Sequence, residues 1–260
     1  MFPYFEQPVF HLGSHPIAAF QLFVCAAVIV GHEVVVRRAA RLGVTDRNTA
    51  SSLTAWTIFV GFVTSHVFDV LAYHPEAVRE DPLVLLKIWG SMSSFGGIFG
   101  GMIAAVVCAR RHGLSLRDIF AFVDTVAFAF PFAWVFGRSG CALAHDHLGI
   151  RTDHWLAVRF PDGPRLDLGL LELLFTIGIA GLFLLLDRRP RPTGFWLAAF
   201  FTLYGPVRFL MDRLRTEDAR YLGWTPGMYA SVVATCLGIA ALVALRRRPS
   251  PADLPAAAKG

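Results

Sequence analysis

The chain has 260 residues, of which 55% are hydrophobic and only 17% charged, and its mean hydropathy is +0.54. A soluble globule carries about 25% charged residues, so this chain has too little polar surface to coat a soluble ball of its size, and it is far too apolar to be disordered. A formal charge of +5 and a pI near 9.3 would raise the question of nucleic acid in a soluble protein; here every Lys and Arg except Arg208 lies outside or at the ends of an apolar segment, which is how a membrane protein distributes its charge.

A bilayer core about 30 Å thick needs about 20 mostly apolar residues per helix. Seven segments meet that need in chain order: Ile17–Val36, Leu53–Ala72, Ser91–Ala109, Ile119–Phe136, Leu168–Leu186, Gly194–Met211 and Pro226–Leu245. None alternates like a barrel strand. The expected class is therefore all-α: a polytopic membrane protein of seven transmembrane helices, with residues 1–248 as one domain and 249–260 as a Pro/Ala-rich, disordered cytoplasmic tail. Neither a secretory nor a lipoprotein signal is expected at the N-terminus, since no basic region precedes the first apolar run. Lys and Arg counted over alternate loops give 14 on the side of the first, third and fifth loops and the tail, against nine on the other. The positive-inside rule then places the N-terminus outside and the C-terminus in the cytoplasm. The longest connection, from about Gly137 to Asp167, lies outside and is expected to be irregular with at most short elements, given Gly149, Pro161, Gly163 and Pro164.

Charge within a span is costly and marks a buried partner, a wet cavity or a site. Glu33 and the His66–Asp69 pair sit near span ends and read as interfacial; Asp124 reads equally as a structural hydrogen-bonding residue. Glu172 falls one turn into the fifth span. Arg208 and Asp212 share a helical face at i,i+4, with Arg215 seven residues after Arg208, so they form either a helix-end ladder of ion pairs or an anion site. Gly96/Gly100 and Gly97/Gly101 are GxxxG pairs, which let helices approach closely and equally leave room for a lipid against the backbone. Where the fourth span reaches the outer surface, Arg138 between Gly137 and Ser139-Gly140 has the look of an anion-gripping turn: a fork of donors suited to phosphate beside accessible backbone N–H groups. His145 and His147 are of metal-ligand type, with Asp146, Asp153 and His154 near in sequence, but no complete ligand set is evident. The four cysteines, Cys25, Cys108, Cys141 and Cys236, form no CxxC knuckle. With no nucleotide loop, nucleophile elbow or zinc motif, neither metal nor cofactor is expected, nor nucleic acid.

Over nearly its whole length the chain resembles the prolipoprotein diacylglyceryl transferase family. Gly137-Arg138-Ser139-Gly140 with Gly149 is similar to the signature G-R-x-G-N-x-x-N-x-E-x-x-G. Met92-Ser93-Ser94-Phe95-Gly96-Gly97 resembles M-S-F-H-G-G, and Asp167-Leu168-Gly169-Leu170-Leu171-Glu172 a segment ending L-Y-E. Tyr204-Gly205, Arg208-Phe209 and Asp212…Arg215…Asp218 resemble Y-G-x-x-R-F…E-x-x-R-x-x-D. The chain departs from these patterns at Phe95 (histidine), Cys141 and Ala144 (asparagines), Asp146 (glutamate) and Phe20 (tyrosine).

The resemblance implies a multi-pass enzyme of the bacterial inner membrane. It would move diacylglyceryl from phosphatidylglycerol to the lipobox cysteine of a prolipoprotein signal peptide, forming a thioether and releasing glycerol phosphate. The nucleophile then belongs to the substrate. Arg138 and Arg215 are expected to stabilise the leaving phosphate, with Arg208 supporting and Glu172 and Asp212 orienting the arginines. Ser94, Gly96, Gly97, Gly140 and Tyr204 are expected to line the substrate site among membrane lipids. With Phe95 in the histidine's place, His145, Asp146 or His147 is expected to take the thiol proton, unless the arginines lower the thiol pKa and water takes it. The alternative is a divergent paralogue that binds anionic phospholipid without this activity or with another acceptor; a transporter is the third class.

Overall fold

The computed structural model describes residues 1–13, 15–87, 92, 94–216 and 220–246; the tail at 249–260, Ser93 and Asp218 lie outside the described residues. The elements run β1 (Phe2–Pro3), β2 (Val9–Leu12), β3 (His15–Ala18), α1 (Ala19–Arg41), α2 (Arg47–Tyr73), α3 (Pro75–Glu80), a 3₁₀ turn (Pro82–Leu86), α4 (Ser94–Arg111), α5 (Leu116–Ala144), β4 (Leu148–Arg151), β5 (Val158–Phe160), β6 (Gly163–Asp167), α6 (Leu168–Leu186), α7 (Phe195–Leu214) and α8 (Pro226–Arg246).

Each expected span coincides with a helix over most of its described residues, although Ile17 and Ala18 of the first belong to β3. Among the described residues five helices are long and apolar enough to cross a membrane: Ala19–Arg41, Arg47–Leu71, Leu116–Ala144, Leu168–Leu186 and Gly227–Arg246. In α4 and α7, the third and sixth expected spans, charged residues near the C-terminal end dilute the apolar run: Arg110 and Arg111 in one, Arg208, Asp212 and Arg213 in the other. Two small sheets qualify the all-α expectation. β2 and β3 form an antiparallel hairpin, and a four-stranded sheet runs in the order β1-β5-β6-β4, with β1 parallel to β5 and the other pairs antiparallel. Most of this sheet fills the connection expected to be irregular. Its β5–β6 hairpin turns at Pro161-Asp162, with Gly163 at φ +118° where an L side chain is strained, a sequence type that favours hairpins.

The second correction concerns α5, which does not end at Phe136 but stays helical through Ala144. Gly137-Arg138-Ser139-Gly140 is helix, not a turn, so its backbone N–H groups are not a free anion cradle. Gly140 is needed for close packing instead. A Cβ there would lie 3.1 Å from Phe20 Cδ2 and 3.3 Å from Phe23 Cβ on α1.

The chain divides into two compact units, Met1–Gly31 with Val126–Gly260, and His32–Thr125. In the second unit α4 lies against α2. A Cβ on Gly96 would come within 2.6 Å of the Thr64 carbonyl, and one on Gly100 within 2.6 Å of the Thr64 methyl. The Thr64 hydroxyl donates to the Gly96 carbonyl at 2.9 Å. Dispersion and this interhelical hydrogen bond hold a contact that lipid tails would otherwise compete for. Gly96 and Gly97 therefore face α2 rather than an open lipid slot, and a Cβ on Gly97 would lie an ordinary 3.5 Å from Ser65 Cβ. Ser94 opens α4, and its side chain, like that of Phe95, lies outside the described residues. Glu33 pairs with Arg37 and, at 3.2 Å, with Arg47. His66 is buried with Nε2 3.0 Å from the Val84 carbonyl, and Asp69 and Asp124 are buried.

The first unit has an aromatic core in which Phe128 meets Trp196 edge-on at 4.7 Å and Phe183 packs on Trp196 at 5.0 Å. Asp167 closes β6 and caps α6, its Oδ1 accepting from the Leu170 N–H at 3.0 Å. That cap fixes where α6 begins and hence where Glu172, one turn on, enters the unit.

Candidate functional site

Glu172 on α6 is the hub of the first unit's charged interior, with 2% of its side chain exposed. Its Oε1 forms an ion pair with Arg138 Nε at 3.0 Å and accepts from Trp134 Nε1 at 3.2 Å and from the Tyr204 hydroxyl. Its Oε2 meets Arg208 Nη1 at 3.5 Å. Arg208 then reaches along α7 to Asp212 Oδ1, Nη2 to oxygen 2.9 Å, and Asp212 lies 3.7 Å from Arg215 Nε. The expected i,i+4 spacing on α7 is thus realised, and the ladder does not stop at the helix end: it joins α5 through Glu172.

Helix geometry explains the assembly. Trp134 and Arg138 are i,i+4 neighbours on α5, so the guanidinium stacks over the indole, Cζ 4.5 Å from the ring centroid, a favourable cation–π arrangement. Phe130 stacks on the same Trp134 at 4.9 Å. At the far end the Thr225 hydroxyl donates to Asp212 Oδ2 at 3.1 Å while accepting from the Met228 N–H at 3.1 Å, and so caps α8. The backbone of Arg215 pairs with Gly149 of β4.

Among these five charged side chains there are three guanidinium groups and two carboxylates, one positive charge in excess. Arg138 is almost fully enclosed, at 7% exposure, whereas Arg208 and Arg215 keep 21% and 17%. A guanidinium offers a fork of donors suited to phosphate, and of the three Arg208 and Arg215 are the more accessible.

A second cluster adjoins it. Arg138 Nη1 donates to Cys141 Sγ at 3.5 Å, one turn along α5. Ligand-type atoms of Cys141, Asp146 and His147 all lie within 4.8 Å of one another, and Asp146 Oδ1 is 2.9 Å from His147 Nδ1. Burial works against the Asp146 charge, but the His147 contact and the Arg138 charge outweigh it and hold that carboxyl below its ordinary range. The chain reverses here because His145 adopts the left-handed conformation, φ +52°.

His145 is engaged on both ring nitrogens. Nδ1 lies 2.5 Å from Asp167 Oδ2 and Nε2 3.1 Å from the Phe5 carbonyl. Its ring sits among Tyr4, Phe5 and Phe160, each at 5.1 Å between centroids. Burial keeps the Asp167 carboxyl above its ordinary range despite the His145 and backbone hydrogen bonds.

The structure thus brings together Arg138, Glu172, Tyr204, Arg208, Asp212 and Arg215, and sets Asp146 and His147 beside them through Cys141. Gly140 packs against α1, and Ser94, Gly96 and Gly97 belong to the other unit. Sequence reading gives no role to Trp134, Cys141 or Thr225. The signal for Trp134 was its i,i+4 spacing to Arg138, and for Thr225 the Thr-Pro pair that opens a helix.

Residues 7–244 match the family model described as prolipoprotein diacylglyceryl transferase. Three relatives are named phosphatidylglycerol–prolipoprotein diacylglyceryl transferase. That of Frankia alni is 30% identical, covering 94% of this chain and 67% of its own. That of Frankia casuarinae is 31% identical over 94% of this chain and 61% of its own. That of Mannheimia succiniciproducens is 31% identical over 96% of both.

Proposed function

This chain belongs to the prolipoprotein diacylglyceryl transferase family, and on that premise we propose that it transfers diacylglyceryl from phosphatidylglycerol to the lipobox cysteine of a prolipoprotein, releasing glycerol phosphate. The single observation that carries this reading is the linked set Arg138–Glu172–Arg208–Asp212–Arg215, which gathers three guanidinium groups at one place. Seven spans with the N-terminus outside, in the bacterial inner membrane, give the working topology; the positive-inside count supports it.

The reaction sets three physical tasks. The lipid's acyl chains must lie among apolar helices. The departing phosphate must be stabilised as charge accumulates on it. The acceptor thiol, with an ordinary pKa near 8.5, must lose its proton. Arg208 and Arg215, the accessible donors, take the phosphate oxygens, and Arg138 strengthens the field from behind. Because the leaving group gains charge in the transition state, these donors favour it over the bound substrate. Glu172 and Asp212 position the guanidinium groups, and Tyr204 and Trp134 fix Glu172. His145, with both nitrogens occupied, acts as a clamp rather than a base. Thiol activation falls to the corner formed by Cys141, Asp146 and His147.

Labelled phosphatidylglycerol and a lipobox peptide, supplied to the purified protein, test the proposal by thioether formation. Arg215→Ala should lower turnover on the order of 10²–10³-fold, the usual loss for one oxyanion donor. Unchanged turnover, or lipid binding without product in the parent protein, would overturn it.

A further inference from the structure

Cys141, Asp146 and His147 bring a sulfur, an oxygen and a nitrogen ligand to one point, all within 4.8 Å. These three donor types, with one coordination position left over, are the ligand pattern of a catalytic rather than a structural zinc site. Cys141 and Asp146 are also two of the positions at which this chain departs from the signature quoted above. We propose that this corner binds a zinc-class divalent cation through Cys141, Asp146 and His147, and that its open position takes the acceptor cysteine thiol as a thiolate.

Three features support the assignment. The first is preorganisation. The reversal at His145 that returns Asp146 and His147 to Cys141 is fixed by the Asp167 and Phe5 contacts of the His145 ring. The His147 carbonyl accepts from the Leu168 N–H at 2.9 Å, and β4 begins one residue later. Ligands held this way lose little freedom on binding metal. The second is charge. A thiolate and a carboxylate balance a divalent ion, so the filled site is neutral beside Arg138. The third is placement. Cys141 Sγ is 3.5 Å from Arg138 Nη1, which puts a metal-held thiolate next to the phosphate receptor, while Asp146 and His147 keep 36% and 23% side-chain exposure for a peptide to approach.

The steps balance. Cys141 binds the cation as thiolate and releases one proton to water. The acceptor thiol does the same on entering the open position, since a coordinating thiol is deprotonated outright. Its sulfur then attacks the glyceryl carbon attached to phosphate. A carbon–sulfur bond forms, the carbon–oxygen bond breaks, and the electron pair leaves with glycerol phosphate among the arginines. No oxidant or reductant is needed.

The thiol step rests on the transferase reading, whereas metal binding does not, and the test separates them. Detergent-purified, chelator-stripped full-length protein is titrated with Co²⁺, whose thiolate complexes absorb in the near ultraviolet and, when tetrahedral, in the visible. One equivalent should bind, Zn²⁺ should displace it, and a lipobox peptide should strengthen the thiolate band while its Cys→Ser analogue does not. Cys141→Ser should abolish the protein's own thiolate band. Asp146→Asn and His147→Ala should each weaken binding at least about tenfold, with elution volume showing that each variant is folded. Absence of a Co²⁺ band, or a band that survives Cys141→Ser, overturns the site. Full transfer by stripped protein overturns the thiol role while leaving the transferase reading intact. A Co²⁺ site with a peptide response but no transfer under any metal supports this inference and sinks the transferase reading.

Discussion

Replacing Glu172 with Gln keeps its shape and removes one charge at the point where four donors converge. Oε1 serves Arg138, Trp134 and Tyr204, and Oε2 serves Arg208 alone at 3.5 Å. The amide will orient its oxygen toward the three donors, so its NH₂ group faces the Arg208 guanidinium. One charge-assisted contact becomes a donor–donor repulsion, and three cations are left with Asp212 as their only carboxylate in the set. Losing a hydrogen bond to a charged group costs about 1.5–3 kcal/mol, short of the 3–5 kcal/mol expected when a buried ion pair loses a whole partner. At about 2–4 °C per kcal/mol for a chain of this size, Tm should fall by roughly 3–12 °C. Thermal unfolding of the full-length protein in detergent reads the first quantity, and kcat/KM for phosphatidylglycerol reads the second. Turnover should fall because Arg208 swings away from Glu172, even where the fold survives. A Gln variant with the parent's Tm and turnover would refute the role of Glu172 as the hub that positions the arginines.

Three further outcomes follow from the geometry. Gly100→Ala puts a methyl into Thr64 on α2, and such overpacking should cost about 1–3 kcal/mol in thermal or denaturant unfolding; an unchanged Tm would mean that α2 and α4 yield. Thr225→Val removes both the α8 cap and the Asp212 hydrogen bond, and should destabilise by about 1–2 kcal/mol; Thr225→Ser, which keeps both, should restore most of it. His145→Asn preserves a residue type at ease with positive φ but deletes the ring that Tyr4 and Phe5 pack against; limited proteolysis within residues 1–8 should speed up several-fold, and equal rates would show that the clamp does not hold the N-terminal strand.

Much of the fold was legible because an apolar run of about 20 residues has few alternatives in a membrane, and each expected span coincides with a helix over most of its described residues. What misled were the glycines around Arg138. Gly140 supplies the absence of a side chain where Phe20 and Phe23 press in, and a sequence does not separate that use from a turn. The β5–β6 hairpin hides for the opposite reason: Pro161, Gly163 and Pro164 have the composition of an irregular loop, and only the pairing of Phe160 with Gly163 shows Pro161-Asp162 to be a two-residue turn. At the site, the α7 spacing of Arg208, Asp212 and Arg215 announced the ladder. Its link to Arg138 crosses between helices through Glu172 and Trp134, and no local pattern encodes which helices meet. His145 and His147, two residues apart, looked equivalent; the left-handed backbone at His145 sends their rings to different neighbours.

The indole of Trp134 lies between Phe130 and the Arg138 guanidinium and donates to the carboxylate hub. Any anion that draws Arg138 toward itself and away from Glu172 must also change the electric field across that ring. In a variant retaining only this tryptophan, headgroup capture would register as a change in fluorescence, so the first encounter with lipid can be timed separately from the bond-making that follows.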